Sequence, residues 1–532
     1  MKMTSTHHKQ FLSTSGESLP VWTHDLPFSH LPTFEALSKN ANTEIAIIGS
    51  GISGIQTAYE LVTRGHNVTL LEARHVLSGE TGRTSGHLAT ALDDGYVQIR
   101  EKHGVKGAKA AAESHAWAIK RVQGVCDRLG IECGFRTLPG YRISKIPRGD
   151  DPEGHEREMN EMKKEVQAAR DAGVDAEFRE DLRVKGWDGR VDQRGGAVFN
   201  AQATFHPTKY LAGLMDWLKQ QPGFECYADT RVIGIEESHG KRKLSTDRGY
   251  TVTAGDVVEA TCIPLQKLSI VAEIAYYRTY CIAIRVPKGS VEDCLLYDTD
   301  NPYKYIRLTP CDKTDDYLVI GGCDHKVGQE NTSGRFSELE SWARERFTSA
   351  GTVDYRWSGQ IMEPVDYMAF IGKNQGRSHT YVITGDSGNG LTHGILAGKL
   401  VSDEMEGVKS DWAALYSPKR LSSIGKSLAG MLKHDVQINS QYKRWLDSDV
   451  QDIEDIRPGA GGVVRESGKP VAVYKDEVGN ARRMSAVCPH MKGVVCWNDT
   501  EKSWDCPVHG SRFSCEGVCV EGPAKGGLVA AT

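Results

Sequence analysis

No apolar run in this 532-residue sequence approaches the roughly 18 residues that a spanning helix needs, so no membrane partner is expected. A basic surplus is missing as well. Lys and Arg number 65 against 70 Asp and Glu, a formal net charge of -5, and nothing in that balance implies nucleic acid or an anionic surface as a partner. The opening stretch, MKMTSTHHKQFLSTSGESLPVW, has neither an apolar signal core nor an arginine-rich amphipathic pattern, so a cytoplasmic location is expected. Internal repeats are absent. The thirteen cysteines are odd in number and scattered, which fits reduced thiols plus a metal site better than a secreted disulfide framework. A single core rarely grows past roughly 250–300 residues, so the length implies two or three domains.

Glycine is plentiful, with 56 residues, and the glycines gather in short loops after apolar runs. TEIAIIGSGISGIQTAYELVTRGHNVTLLEAR predicts a strand from Glu44 to Ile48, a glycine turn, a helix from about Ile52 to Arg64 and a second strand ending at Glu72. In such a unit Gly49 makes the turn, Gly51 lets backbone approach a pyrophosphate, and Gly54 lets the helix sit close on the strand. Ile52 and Ser53 open the helix whose N-terminus faces the phosphates. Glu72, followed by Ala73 and Arg74, stands where an acid accepts from an adenosine ribose.

Residues 78 to 96, SGETGRTSGHLATALDDGY, resemble the second flavin-contacting loop of the D-amino-acid oxidase or glycine oxidase-like superfamily. That resemblance favours FAD over NAD and implies contacts from Gly82, Arg83, Thr84, Ser85 and His87. Near the far end, YVITGDSGNGLTHGILAGKLVSDEM predicts a strand, a loop holding Gly385 and Gly388, and a helix opened by Asn389, Gly390, Leu391 and Thr392. In the superfamily that helix end stabilises negative charge on reduced flavin, as a positive helix terminus can. Some relatives tether FAD through a histidine in the first loop; His87 sits one position too late for that pattern, so non-covalent FAD is expected. There is no second GxGxxG before a helix: GAGGVV at 459 to 464 precedes strand-like alternation and reads as a turn. The hydride donor is therefore expected to be the substrate and not NAD(P)H.

The tail carries Cys488-Pro-His490, fifteen intervening residues, and Cys506-Pro-Val-His509. Two such pairs suit tetrahedral zinc, or a [2Fe–2S] cluster with two thiolates on one iron and two imidazoles on the other. The flanks, with His509-Gly-Ser-Arg-Phe513 and the Gly522-Pro523 loop, resemble the Rieske family over residues 458 to 532. In the family's high-potential branch two further cysteines form a disulfide; Gly493 and Val508 occupy those positions here. Phe513 replaces a tyrosine that bonds a ligand sulfur in that branch, while Ser511 keeps one donor, so a low Rieske potential is expected. Cys496, Cys515 and Cys519 read as buried small hydrophobes. No two-histidine, one-carboxylate iron motif is found: His7 and His8 lie in the expected N-terminal extension and His434 has no partner at that spacing.

Between these sites, NAQATFHPTKYLAGLMDWL predicts a helix begun by Pro207, with His206 and Lys209 either lining the site or, for His206, capping the helix. Residues 295 to 330 alternate like antiparallel strands and supply substrate-site candidates Tyr303, Tyr305, Arg307, His325 and Lys326, each with cross-strand packing as the alternative. Residues 147 to 192 read as a solvated helical excursion. The fold expected is an α/β Rossmann-like FAD domain interleaved with an α+β antiparallel-sheet substrate domain, plus a small all-β Rieske domain. Expected divisions are an extension (1–41), FAD domain (42–97, 198–270, 356–425), substrate domain (98–197, 271–355), linker (426–457) and Rieske domain (458–532). The resemblance implies C–N oxidation of a small amine, N-methylated amine or amino acid at FAD, with electrons relayed through the cluster to an external acceptor. An external reductase feeding a monooxygenation through the cluster, and a docking or redox-sensing role for the Rieske module, remain open, as does the oligomeric state, a homo-oligomer included.

Overall fold

The computed structural model describes residues 16–531 except 148, 190, 192, 194, 239, 266–272 and 421–439; His7, His8 and His434 lie outside the described residues. In chain order the elements begin with Ala41–Ile48 (β1), Ile52–Thr63 (α1), Val68–Leu71 (β2), His87–Leu88 (β3), Gly95–Leu129 (α2), Arg136–Ile143 (β4), Pro152–Asp171 (α3), Ala176–Arg179 (β5), Gly196–Thr204 (β6) and Pro207–Leu218 (α4). There follow Phe224–Tyr227 (β7), Val232–Ser238 (β8), Lys241–Thr246 (β9), Thr251–Glu259 (β10), Ile274–Pro287 (β11), Leu295–Asp298 (β12), Tyr305–Pro310 (β13), Asp315–Lys326 (β14), Arg335–Arg346 (α5), Val353–Pro364 (β15), Phe370–Lys373 (β16), Thr380–Thr384 (β17) and Gly390–Met405 (α6). The C-terminal strands are Gly461–Glu466 (β18), Lys469–Lys475 (β19), Ala481–Ser485 (β20), Cys496–Asn498 (β21), Ser503–Asp505 (β22), Arg512–Ser514 (β23) and Cys519–Glu521 (β24).

Strands from distant parts of the chain form the first sheet, in the order β16-β17-β10-β1-β2-β7, with β9 adding to β10 and β8 to β9. From β17 to β7 the pairings are parallel. Ile45 to Ile48 are all buried, because helices and loops cover both faces and leave no solvated side to alternate toward. α1 and α6 pack together over this sheet. The second sheet runs β15-β11-β14-β13-β12-β4-β6-β3, with β5 on β6, and is antiparallel but for the parallel β12–β4 pair.

Several expected divisions need correction. β3, β6 to Thr204 and β15 to Pro364 all belong to the second sheet, so the divisions drawn at 97, 198 and 356 cut through it. β6 and β15 run unbroken across the expected boundaries at 198 and 356, and no change in composition marks either point. Within 147–192 the helix α3 forms, but Ala176–Arg179 pairs with β6 instead of staying solvated. Part of the expected linker belongs to the C-terminal module: the Tyr442 hydroxyl donates to the Met491 carbonyl at 2.8 Å and the Trp445 indole to that of Lys492 at 2.9 Å. That module has its own core, including Val463, Ala472, Trp504 and Phe513. The N-terminal segment is also built in, since Trp22 is buried and its indole donates to the Thr84 carbonyl at 2.8 Å.

Candidate active site and cluster box

The turn after β1 is set by local backbone demands. Gly49 has φ of 102°, a left-handed conformation that costs glycine little. Ser50 donates to the Glu72 carboxylate from its N–H at 2.9 Å and its hydroxyl at 2.7 Å, so the acid ending β2 braces the glycine turn. A side chain on Gly54 would drive into the Gly49 carbonyl. Beyond this turn lies a long cavity lined by Gly51, Ile52 and Ser53 at the start of α1, by Thr81, Arg83, Thr84, Ser85 and His87, and by Gly385, Gly388, Asn389, Gly390, Leu391 and Thr392. The two helix N-termini and the loop between them thus meet in one groove, a shape and donor set that fits a dinucleotide.

Other predicted contacts stand behind the groove. Gly49, Gly54, Glu72, Ala73 and Gly82 shape its backbone, and Gly82 closes a turn by donating to the Gly79 carbonyl at 3.0 Å. Arg74 differs from expectation. Its guanidinium donates to the Val520 carbonyl and to the Ser78 hydroxyl, so this half-buried side chain is turned to the C-terminal module. Residues not anticipated include Glu80, Asp93, Arg142, Thr279, Tyr297, Gln360 and Asp386 on the cavity wall; Glu80 and Asp93 lay inside the loop already singled out, whereas Gln360 sits on a long strand with no motif.

Of the substrate candidates, Tyr303 and Tyr305 line the cavity. Four do not, and each has another task. His206 caps α4, accepting from the Lys209 N–H at 3.3 Å, and its ring packs on Trp22. Arg307 is buried and donates to the carbonyls of Gly86 at 2.7 Å and Phe205 at 3.0 Å; burial pushes its pKa down to about 9. His325 bonds the Tyr280 hydroxyl at 3.0 Å, and Lys326 lies over the Tyr277 ring. His87 does reach the cavity, with Nδ1 at 2.9 Å from the Ser85 hydroxyl and Nε2 at 3.3 Å from the Ile306 carbonyl. Burial, then the Arg307 charge, lowers its pKa to about 3, so it is neutral.

In the C-terminal module two loops face each other. One is closed by Cys488 N–H on the Gly493 carbonyl at 2.9 Å, the other by Cys506 N–H on the Ser511 carbonyl at 2.8 Å. The two thiols bond one another, and the rings of His490 and His509 lie 5.1 Å apart. Thiols pair with thiols and imidazoles with imidazoles, which suits one iron per pair; among the described residues no three such side chains converge on a single ion. The N–H groups of His490 and Met491 and the Ser511 hydroxyl bond the Cys488 sulfur, and those of Val508 and His509 bond that of Cys506. Gly493 and Val508 face each other across the loops, with the valine methyl where a Gly493 side chain would go. Cys496, Cys515 and Cys519 are buried.

The module is seated on the rest of the chain. The Gln360 side chain donates to the Gly510 carbonyl at 3.1 Å, while its backbone N–H donates to Glu80 at 2.6 Å. The ring of Tyr276 lies 6.3 Å from that of His509. Glu501 sits in the seam, fully buried, accepting from the Ser18 hydroxyl at 2.6 Å and from the Ser358 hydroxyl, with Arg83 at 3.8 Å and Arg278 at 4.0 Å.

A parallel sheet whose groove fits a dinucleotide, a second sheet over the groove and a paired thiol–imidazole box docked beside it point to a flavin-dependent oxidoreductase with an iron–sulfur module. The comparisons agree. The family model for FAD dependent oxidoreductases matches residues 44–404 and that for the Rieske [2Fe-2S] domain residues 447–531. The Rieske 2Fe-2S iron-sulfur protein YhfW of Bacillus subtilis (strain 168) is 27% identical over 93% of this chain and 94% of its own. Gamma-glutamylputrescine oxidoreductase of Escherichia coli (strain K12) is 22% identical over 70% of this chain and 86% of its own. Glycine oxidase from Geobacillus kaustophilus shares the fold, with a TM-score of 0.58 at 19% identity over 71% of this chain and 98% of that one. The chain belongs to the FAD dependent oxidoreductase family and carries a C-terminal Rieske [2Fe–2S] domain. Its cofactors are FAD and a [2Fe–2S] cluster. No described helix is long and apolar enough to cross a membrane.

Proposed function

We propose that this protein oxidises a C–N bond of a small or N-methylated amine and passes the electrons through the Rieske cluster to an external acceptor. Within this reading Gly51 to Ser53 and the loops at 81–87 and 385–392 hold FAD without a covalent tether, both His87 nitrogens being engaged by neighbours. Cys488, Cys506, His490 and His509 hold the cluster. Bound FAD supplies the hydride acceptor and the cluster one-electron transfer. The chain's own part is to orient the amine, exclude water and set the two groups side by side.

The observation that carries the reading is the seat of the C-terminal module: Gln360 touches the cavity wall with its backbone and the His509–Gly510 loop with its side chain. A buried seam of this kind supports electron passage within one chain. The E. coli relative named for an amine substrate supports the substrate class.

The test is anaerobic stopped-flow mixing of the holoprotein with primary, secondary and N-methylated amines, following flavin bleaching and Rieske absorbance together. Bleaching followed by cluster reduction is expected, and Cys506→Ser should keep the first phase and lose the second. If instead no amine bleaches the flavin and an external reductase reduces the cluster before the flavin, electrons run inward and the reading is overturned. Flavin retained in the pellet after acid precipitation would overturn the non-covalent assignment.

A further inference from the structure

Four acids line the cavity: Glu80, Asp93, Asp298 and Asp386. Three have backbone donors, from Gln360 at 2.6 Å to Glu80, from Lys304 at 2.8 Å to Asp298 and from Met362 at 2.9 Å to Asp386. Among the described residues Asp93 is given only one donor, the phenol of Tyr303. It lies against the loop that opens α6, where a side chain on Gly388 would come within 2.5 Å of Asp93 Oδ2. The surroundings are aromatic: Tyr297, Tyr303 and Tyr305 all line the cavity, with ring centroids 6.3 Å apart for Tyr297–Tyr303 and 5.9 Å for Tyr303–Tyr305. The Tyr297 hydroxyl is fully buried there and has no hydrogen-bond partner among the described residues; the same holds for Asp324 Oδ1, close behind Tyr303 and Tyr305.

A buried carboxylate is costly without a counter-ion, and a cation is stabilised by carboxylate and ring faces together. The cations that face this group are few. Arg142 lines the cavity and its charge acts on Asp93 without forming an ion pair with it, Lys304 and Lys326 act on Asp324 and Glu363, and Arg83 is turned to Ser18 and Glu501.

We propose that Asp93, with Tyr297, Tyr303 and Tyr305, forms a recognition subsite for a cationic nitrogen of the substrate, so that the preferred substrates are diamines or polyamines. Hydride loss from a carbon beside nitrogen needs that nitrogen unprotonated, because its lone pair becomes the C=N bond while the flavin takes the electron pair. The charge held at Asp93 therefore belongs to a second nitrogen. This rests on the amine reading above for turnover, but cation binding itself does not.

Calorimetry on the oxidised holoenzyme with tetramethylammonium, which cannot be turned over, and with tert-butanol as an uncharged probe of similar size, tests the subsite. Tetramethylammonium is expected to bind at least tenfold more tightly than tert-butanol; Asp93→Asn should remove that preference and Tyr297→Leu should weaken it several-fold, with FAD content unchanged. Burial raises the pKa of Asp93 to about 6 and those of Asp324 and Glu363 to about 7, and Asp94 is raised beside them. The wild-type affinity should therefore climb as pH rises through 6 to 7, when these groups ionise, with Arg142, Asp386 and Tyr303 the other groups facing Asp93. In turnover, butane-1,4-diamine should exceed butylamine in kcat/KM by tenfold or more, and Asp93→Asn should erase the difference.

Equal binding of the two probes, or an unchanged tetramethylammonium affinity in both variants, overturns the subsite while leaving amine oxidation standing if amines still bleach the flavin. Selective probe binding with no bleaching by any amine supports the subsite and overturns the amine reading instead.

Discussion

Gly54 illustrates how a single position can control cofactor binding from outside the groove. It never touches the cavity, yet any side chain there collides with the Gly49 carbonyl and must push α1 off β1. Gly54→Val is expected to cost about 1–3 kcal/mol through overpacking and to lower the flavin carried per protein several-fold, measured as the ratio of flavin to protein absorbance after purification. Constraints of this kind are legible in a sequence because they are local: turn, helix start and acid follow within one βαβ unit. No such local constraint settles His206, His325 and Lys326. A histidine before proline can cap a helix or face a ligand, and a polar residue on a strand can pack across it or point into a cavity; the choice depends on what the facing strand supplies. Tyr303 and Tyr305 line the cavity, whereas Arg307, two positions on, lies under the loop at 85–86 where carbonyls gather.

At the scale of elements, the two cluster loops decide the redox poise. Backbone N–H groups and the Ser511 hydroxyl bond the ligand sulfurs, but Phe513 is fully buried and has no hydroxyl to add. A midpoint potential below zero is expected, toward the lower part of the roughly -150 to +300 mV Rieske range. Ser511→Ala should lower it further and Phe513→Tyr raise it, each by roughly tens of millivolts, read by EPR-monitored titration; a wild-type value well above zero would contradict the assignment. The ligand spacing made this box plain in the sequence, because both loops are short and contiguous. The second sheet was legible as alternation but not in its extent, since β6 and β15 carry on past the points where composition suggests a change of domain.

At the scale of the whole molecule, the seam around Glu501 joins the N-terminal segment, the loop at Arg83, the second sheet and the Rieske module. Removing that carboxylate takes one buried counter-charge from both Arg83 and Arg278, and breaking such a network costs about 3–5 kcal/mol. Glu501→Ala is expected to split thermal unfolding into two transitions and to open the segment before β18 to limited proteolysis, while the isolated cluster signal survives. Unfolding that stays single with an unchanged midpoint would show that other contacts hold the module. None of this seam is legible in the sequence. Its members are single polar residues on separate loops, and only three-dimensional proximity makes them a set.

The order of strands in the first sheet has a consequence for how the protein is made. β1 begins at residue 41, its neighbour β10 at 251, and β17, which completes the parallel core, only at 380. At about 5–20 residues per second on the ribosome, roughly 17–70 s separate the emergence of the first and last of these strands. Through that interval the apolar run of β1 has no finished layer to enter, and an unpaired apolar strand of this kind is prone to associate with neighbouring nascent chains on the same messenger.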